Sequence, residues 1–89
     1  MKYKVEFSKS AAKEFKKLNK SLRGKVVEAL SFISQNPYSE FLNIKKLKGA
    51  DELFRIRIGD YRIVYNVQKK VLIIVVIKIG HRKDIYKKK

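Results

Sequence analysis

The sequence predicts an α+β domain in which an antiparallel sheet packs on an α-helical hairpin, in the order β-α-α-β-β-β. Three observations carry that prediction. Residues 53–65 alternate apolar and polar side chains on both sides of Gly59-Asp60, the period of half-buried strands around a two-residue turn. Residues 11–33 repeat apolar side chains at helical spacing. The run from Val71 to Ile77 is apolar at every position, as in a strand covered on both faces. Eighty-nine residues without linker or internal repeat make one small domain, 1–89.

Each element has its own local signal. Tyr3, Val5 and Phe7 alternate with Lys4 and Glu6, giving a first strand. Ser8 and Ser10 are N-cap candidates for a helix whose apolar face is Ala11, Phe15 and Leu18. Asn19 to Ser21 interrupts it. A second helix then runs to about Gln35 on a stripe of Leu22, Val26, Ala29, Leu30 and Ile33, weakened near its start by Gly24. Asn36-Pro37 ends it, because the residue before proline is pushed out of the α region. Residues 38–50 form a connection without clear period, closing in the basic run Lys45, Lys46 and Lys48. The hairpin follows, then a turn at Gln68-Lys69-Lys70, the apolar strand, a break at Gly80, and a basic tail.

Composition narrows the function. A hydrophobic content of 45% suits a folded chain, so the charge does not signal disorder. Twenty-three Lys and Arg against eight Asp and Glu leave a net charge of +15. Self-repulsion of that size is tolerated more easily when a polyanion or an acidic partner screens it. Nucleic acid is the leading ligand and an acidic protein the second. A membrane surface ranks third, because the basic residues are not gathered on one amphipathic helix. The absence of cysteine excludes disulfides and thiolate zinc sites and fits a reducing compartment. The early alternation does not look like a signal peptide, and the longest apolar run is too short to span a bilayer. A soluble, cytoplasmic protein is the expectation.

The hairpin concentrates the chemistry. With a type II′ turn at Gly59-Asp60, Ile58 faces Tyr61 and Arg57 sits opposite Arg62, with Arg55 diagonal on the same face. Phe54, Ile56, Ile58, Ile63 and Tyr65 then share the core face. Like charges placed opposite one another destabilise a sheet. Three of them together call for an anionic ligand; a merely solvated face is the blander reading. On this expectation the arginine face serves ligand and reaction, with little role in folding.

Several reactions are excluded. One histidine and no cysteine build no ordinary zinc site, and Asp51, Glu52, Asp60 and Asp84 form no obvious pair of magnesium sites. No P-loop, nucleophile elbow or dinucleotide fingerprint is present. Metal-free RNA cleavage fits what remains. The attacking 2′-oxygen must lose a proton, the 5′-oxygen must gain one, and phosphoryl charge must be stabilised between them. Guanidinium forks suit that last task and make poor bases. His81 and Tyr86 are the proton-transfer candidates. A lone histidine is more often structural than catalytic.

The pieces Leu47-Lys48-Gly49, Leu53-Phe54-Arg55-Ile56-Arg57, Gly59-Asp60-Tyr61-Arg62-Ile63-Val64-Tyr65 and Gly80-His81-Arg82-Lys83-Asp84-Ile85-Tyr86 resemble the RelE branch of the RelE/ParE toxin superfamily. The likeness spans essentially the whole chain. It implies a microbial-RNase-like fold and the toxin of a bacterial or archaeal toxin–antitoxin pair. RelE-type members cleave messenger RNA in the ribosomal A site without a metal. The implied partners are therefore a cognate antitoxin in a hetero-oligomer, the ribosome and mRNA, with no cofactor and no membrane. The resemblance carries catalytic roles onto Arg55, Arg57, Arg62, Arg82 and Tyr86. His81 stands where the family varies, and Lys45, Lys46 and Lys48 are expected RNA contacts. Arg55 and Arg57 replace lysines of the best-known members, so proton transfer should rest on Tyr86 or His81. A ParE-like gyrase inhibitor, a non-catalytic RNA-binding module and an inactive antitoxin ligand are the rival readings. The full set of basic residues argues against the first. The inward direction of Tyr61 and Tyr65, which removes a stacking surface, argues against the second.

Overall fold

Ser8 turns the chain from its first strand into its first helix. Its backbone is extended, and its hydroxyl accepts a hydrogen bond from the Ala11 N–H at 3.1 Å. That satisfies one of the donors a helix start leaves without a partner. The same hydroxyl donates to the Ile77 carbonyl at 2.8 Å, so the cap is also tied to the last strand. A computed structural model describes residues 2–38, 44–47 and 52–81. The elements are β1 (Lys4–Phe7), α1 (Lys9–Lys17), α2 (Lys20–Gln35), β2 (Ile44–Lys46), β3 (Leu53–Ile58), β4 (Tyr61–Gln68) and β5 (Ile73–His81).

Asn19 does for α2 what Ser8 does for α1, accepting from the Leu22 N–H at 2.8 Å. The helix stops at Gln35, and Asn36 before the proline has left the α region (φ −152°, ψ 92°). Val26, Ala29, Leu30 and Ile33 of α2 are buried together with Ala11 and Leu18, while Phe15 packs partly against Phe7 at 5.4 Å between ring centroids. Gly24 lies in the helix interior on the exposed face, and a Cβ added there would meet nothing within 4 Å. Gly24→Ala is therefore expected to stabilise the protein by about 0.5–1 kcal/mol, since alanine forgoes glycine's entropic cost in a helix. A differential scan should show a rise of about 4–8 °C per kcal/mol for a domain of this size.

The strands form one five-stranded sheet in the order β1-β5-β4-β3-β2. All neighbours are antiparallel except β1, which joins β5 in parallel. The fold class is the expected α+β one, with one strand more than the sequence shows. β2 is three residues long, two of them lysines, and no period can be read from so short a piece. It pairs Ile44 with Ile56, Lys45 with Arg55 and Lys46 with Phe54. The helical hairpin covers one face of the sheet, and Phe54, Ile56, Ile63, Tyr65, Val67, Ile74, Val76 and Ile79 supply the sheet's half of the core.

β5 departs from the sequence reading in a way that matters for function. It starts two residues later than the apolar run, because Leu72 takes a left-handed backbone (φ 56°) in the preceding turn and Val71 is 59% exposed. It also runs through Gly80 to His81 instead of breaking at the glycine. Tyr65 pairs with Val76 but Val64 pairs with Lys78, so Ile77 is an extra residue in a β-bulge. Strict alternation from Ile74 and Val76 would turn Lys78 and Gly80 inward. The bulge shifts the phase, so Ile79 and His81 follow Val76 on the helix side, while Lys78 and Gly80 lie on the outer face.

At the far end of β3 and β4 an aromatic cluster closes the core. The Tyr65 hydroxyl donates to the Pro37 carbonyl at 2.8 Å, and its ring stacks on Phe54 at 5.8 Å. Tyr38 meets Phe54 edge-on at 5.2 Å and donates to Glu52 Oε1 at 3.2 Å. Burial first, then the Glu52 carboxylate, pushes the Tyr38 phenol up to about 12. These contacts tie the connection after α2 to the hairpin that carries the arginines.

Candidate functional site

The hairpin turn is the predicted one. Gly59 has φ +59°, and Asp60 is not among the described residues with positive φ, the pattern of a type II′ turn. Ile58 pairs with Tyr61 and Arg57 with Arg62, so the expected register holds throughout the hairpin. Residues paired across neighbouring strands share a face. Two cross-strand rows therefore define the outer surface at this end of the sheet. One runs Arg57, Arg62, Gly80 across β3, β4 and β5; the next runs Lys45, Arg55, Val64, Lys78 across β2 to β5.

The three arginines differ in their surroundings. Arg57 is exposed, and its Nε–H makes a long 3.5 Å contact with the Gly59 carbonyl, which draws its head over the turn. Arg55 is half-buried. Arg62, on the central strand, is only 6% exposed. The blander reading of a merely solvated face does not describe Arg62, which is an interior residue of the outer layer. A guanidinium held this way has lost much of its freedom before any ligand arrives, which suits it to orient a phosphate.

Lys45 joins the cationic face beside Arg55, whereas Lys46 pairs with Phe54 and belongs to the opposite side of the sheet edge. Lys78 is an addition that the sequence reading missed. It is exposed on the outer face at the β5 end of the Arg55 row, and only the bulge puts it there. Lys48, Arg82 and Tyr86 lie outside the described residues.

His81 is not brought together with the arginines. It pairs with Tyr61, whose row belongs to the core face, and the two rings meet edge-on at 5.3 Å. The phase shift at Ile77 is the physical reason: it turns His81 toward the helices and gives its place on the outer face to Gly80. Among the described residues no three His, Asp or Glu side chains gather as a metal-binding group. No described helix is long and apolar enough to cross a membrane.

A five-stranded sheet backed by a helical hairpin has clear counterparts among known proteins. The family model of the ParE toxin of type II toxin–antitoxin systems, parDE, matches residues 5–86. The chain belongs to the RelE/ParE toxin superfamily. It is a RelE-like toxin of a toxin–antitoxin pair. RelE1 of Methanocaldococcus jannaschii is 40% identical over 88 residues, covering 98% of each chain. The mRNA interferase toxin RelE of Escherichia coli K12 is 30% identical over 84 residues, 92% of this chain and 85% of that protein. Among solved structures, the archaeal RelE–RelB complex of Pyrococcus horikoshii matches with a TM-score of 0.80 at 30% identity, covering 92% of this chain and 97% of the other. The isolated E. coli RelE toxin matches with a TM-score of 0.78 at 28% identity, over 89% of this chain and 83% of its own. The expected superfamily, its RelE branch and the fold class are therefore borne out.

Proposed function

We propose that this protein is a ribosome-dependent, metal-independent endoribonuclease that cleaves messenger RNA in the ribosomal A site and so halts translation. The observation that carries the reading is the outer row in which Arg57 and Arg62 stand side by side, with Arg55, Lys45 and Lys78 next to them. The RelE names of the relatives, one of them an mRNA interferase, point the same way.

In the proposed reaction a base takes the proton of a ribose 2′-hydroxyl. The 2′-oxygen attacks the adjacent phosphorus, and the bond to the 5′-oxygen breaks. That oxygen is protonated as it leaves, and a 2′,3′-cyclic phosphate remains on the upstream fragment. Arg62, Arg57 and Arg55 stabilise the charge that rises on the phosphoryl oxygens, with Arg82 as a further cation. The side of the sheet on which His81 sits argues against it as the base. Tyr86 is then the group to which proton transfer is assigned. Lys45 and Lys48 contact the RNA backbone, and Lys46, on the other side of the sheet edge, does not share that role. Lys9, Lys13 and Lys16, exposed at helical spacing on α1, engage ribosomal RNA phosphates.

In the cytoplasm the toxin is held inactive by a cognate antitoxin. Support comes from the outer face of β5, where Ile73 and Val75 are half-buried and Ile77 is 39% exposed beside the cationic rows. An amphipathic acidic segment could cover this strip and set carboxylates against the arginines. Antitoxin-bound RelE structures among the structural relatives support the same partner class.

Primer extension on translated messages tests the reading. Cuts are expected inside the codon occupying the A site, and only when ribosomes are present. Rapid, chelator-sensitive cutting of naked RNA by the purified protein would overturn both the ribosome dependence and the metal independence. Growth arrest with intact messages and inhibited gyrase would move the protein to the ParE mode.

A further inference from the structure

We infer that Gly80 is a positioning residue for Arg62: its missing side chain is what lets the Arg62 guanidinium lie down across β5 and be held for phosphate. The inference rests on the proposed RNA cleavage for its kinetic consequence, but not for its geometry. Arg62 has two cross-strand neighbours on its own face, Arg57 on β3 and Gly80 on β5. The first repels it, and Arg57 itself leans over the turn toward Gly59. The second offers bare backbone. Both Arg62 and Gly80 are buried, although the other two arginines of that face are exposed or half-exposed. A long side chain lying over a glycine explains both burials together.

No backbone requirement accounts for the glycine. Gly80 lies within the extended span of β5, and among the described glycines the positive φ belongs to Gly59. Glycine in the interior of a strand weakens it and often marks a place where another group must approach closely. The bulge at Ile77 completes the device, because only the shifted phase sets residue 80 opposite Arg62 rather than in the core. On this inference, a Cβ at this position meets the arginine stem and lifts the guanidinium toward solvent. Misplacement of a catalytic group by about an ångström can cost about a hundredfold in rate.

The test uses Gly80→Ala and Gly80→Val in the full chain, read in two ways. In nitrogen-15 NMR spectra the Arg62 Nε–H signal should move and broaden toward the position of a free arginine in both variants, while the Arg57 signal stays. In ribosome-dependent cleavage, kcat should fall about tenfold for alanine and about a hundredfold for valine, with KM changed less than about threefold. Thermal midpoints and dispersed core resonances establish that the variants fold; if valine does not, alanine alone decides. An unmoved Arg62 signal with wild-type kcat in the folded variants overturns the inference. If the wild-type protein cleaves no message, the proposed function falls, and the Nε–H signal still decides whether Gly80 sets Arg62.

Discussion

Replacing Arg62 by alanine is expected to lower ribosome-dependent cleavage by about 10²–10³-fold and to abolish growth arrest. That range is what removal of one preorganised charge-stabilising donor costs, about 3–4 kcal/mol of the barrier. Arg62 should give the largest loss on the face because it is the arginine already held in place, at 6% exposure between β3 and β5. Its burial also changes what is expected of stability. Losing the packed stem destabilises, whereas removing a like charge from beside Arg57 stabilises. The two oppose each other, and the net shift should stay within about 1 kcal/mol. Arg57→Ala, at an exposed site, should change stability by no more than about 0.5 kcal/mol. Arg62→Lys keeps a charge but loses the fork, so most of the defect should persist. Single-turnover cleavage and urea midpoints on the same preparations separate the two effects. Full toxicity of Arg62→Ala, or its outright unfolding, would remove Arg62 from the proposed mechanism.

The sequence was readable wherever one residue type or one uninterrupted period carries the structure. Ser8, Asn19 and Asn36-Pro37 mark the helix boundaries through local hydrogen bonds and dihedral limits, which need no tertiary context. Gly59-Asp60 fixes the hairpin register, and with it the placing of Arg55, Arg57 and Arg62 on one face. The bulge at Ile77 is of another kind. The run from Val71 to Ile77 is apolar at every position, so no alternation exists in which a phase shift could show. The shift is set by the partner strand and by Ser8, whose hydroxyl donates to the Ile77 carbonyl from 69 residues earlier in the chain. For that reason the sequence alone put His81 with the arginines, treated Gly80 as a strand end and passed over Lys78. β2 escaped for a simpler reason, since its three residues acquire strand character only by pairing with β3.

Tyr65 carries the largest expected effect on stability. The side chain is fully buried, stacks on Phe54 and donates its hydroxyl to the Pro37 carbonyl at 2.8 Å. Tyr65→Ala should cost about 3–5 kcal/mol through lost burial and the cavity left behind. A domain of this length has about 5–13 kcal/mol in all, so the variant should be close to unfolded at growth temperature. Tyr65→Phe keeps the ring but strands the Pro37 carbonyl, at about 1–2 kcal/mol near neutral pH. That gap should depend on pH in a definite sense. Burial, with Tyr38 as a lesser cause, raises the folded-state phenol above its ordinary value of about 10. The folded protein therefore holds the proton that the unfolded chain releases near pH 10. The resulting stabilisation is complete below about pH 10 and is lost as pH climbs toward the folded-state value. Phenylalanine has no proton to release. Urea midpoints taken between about pH 8 and pH 11 should show the difference between wild type and Tyr65→Phe shrinking above pH 10. A difference that stays constant across that range would mean that the phenol is not held neutral by the fold.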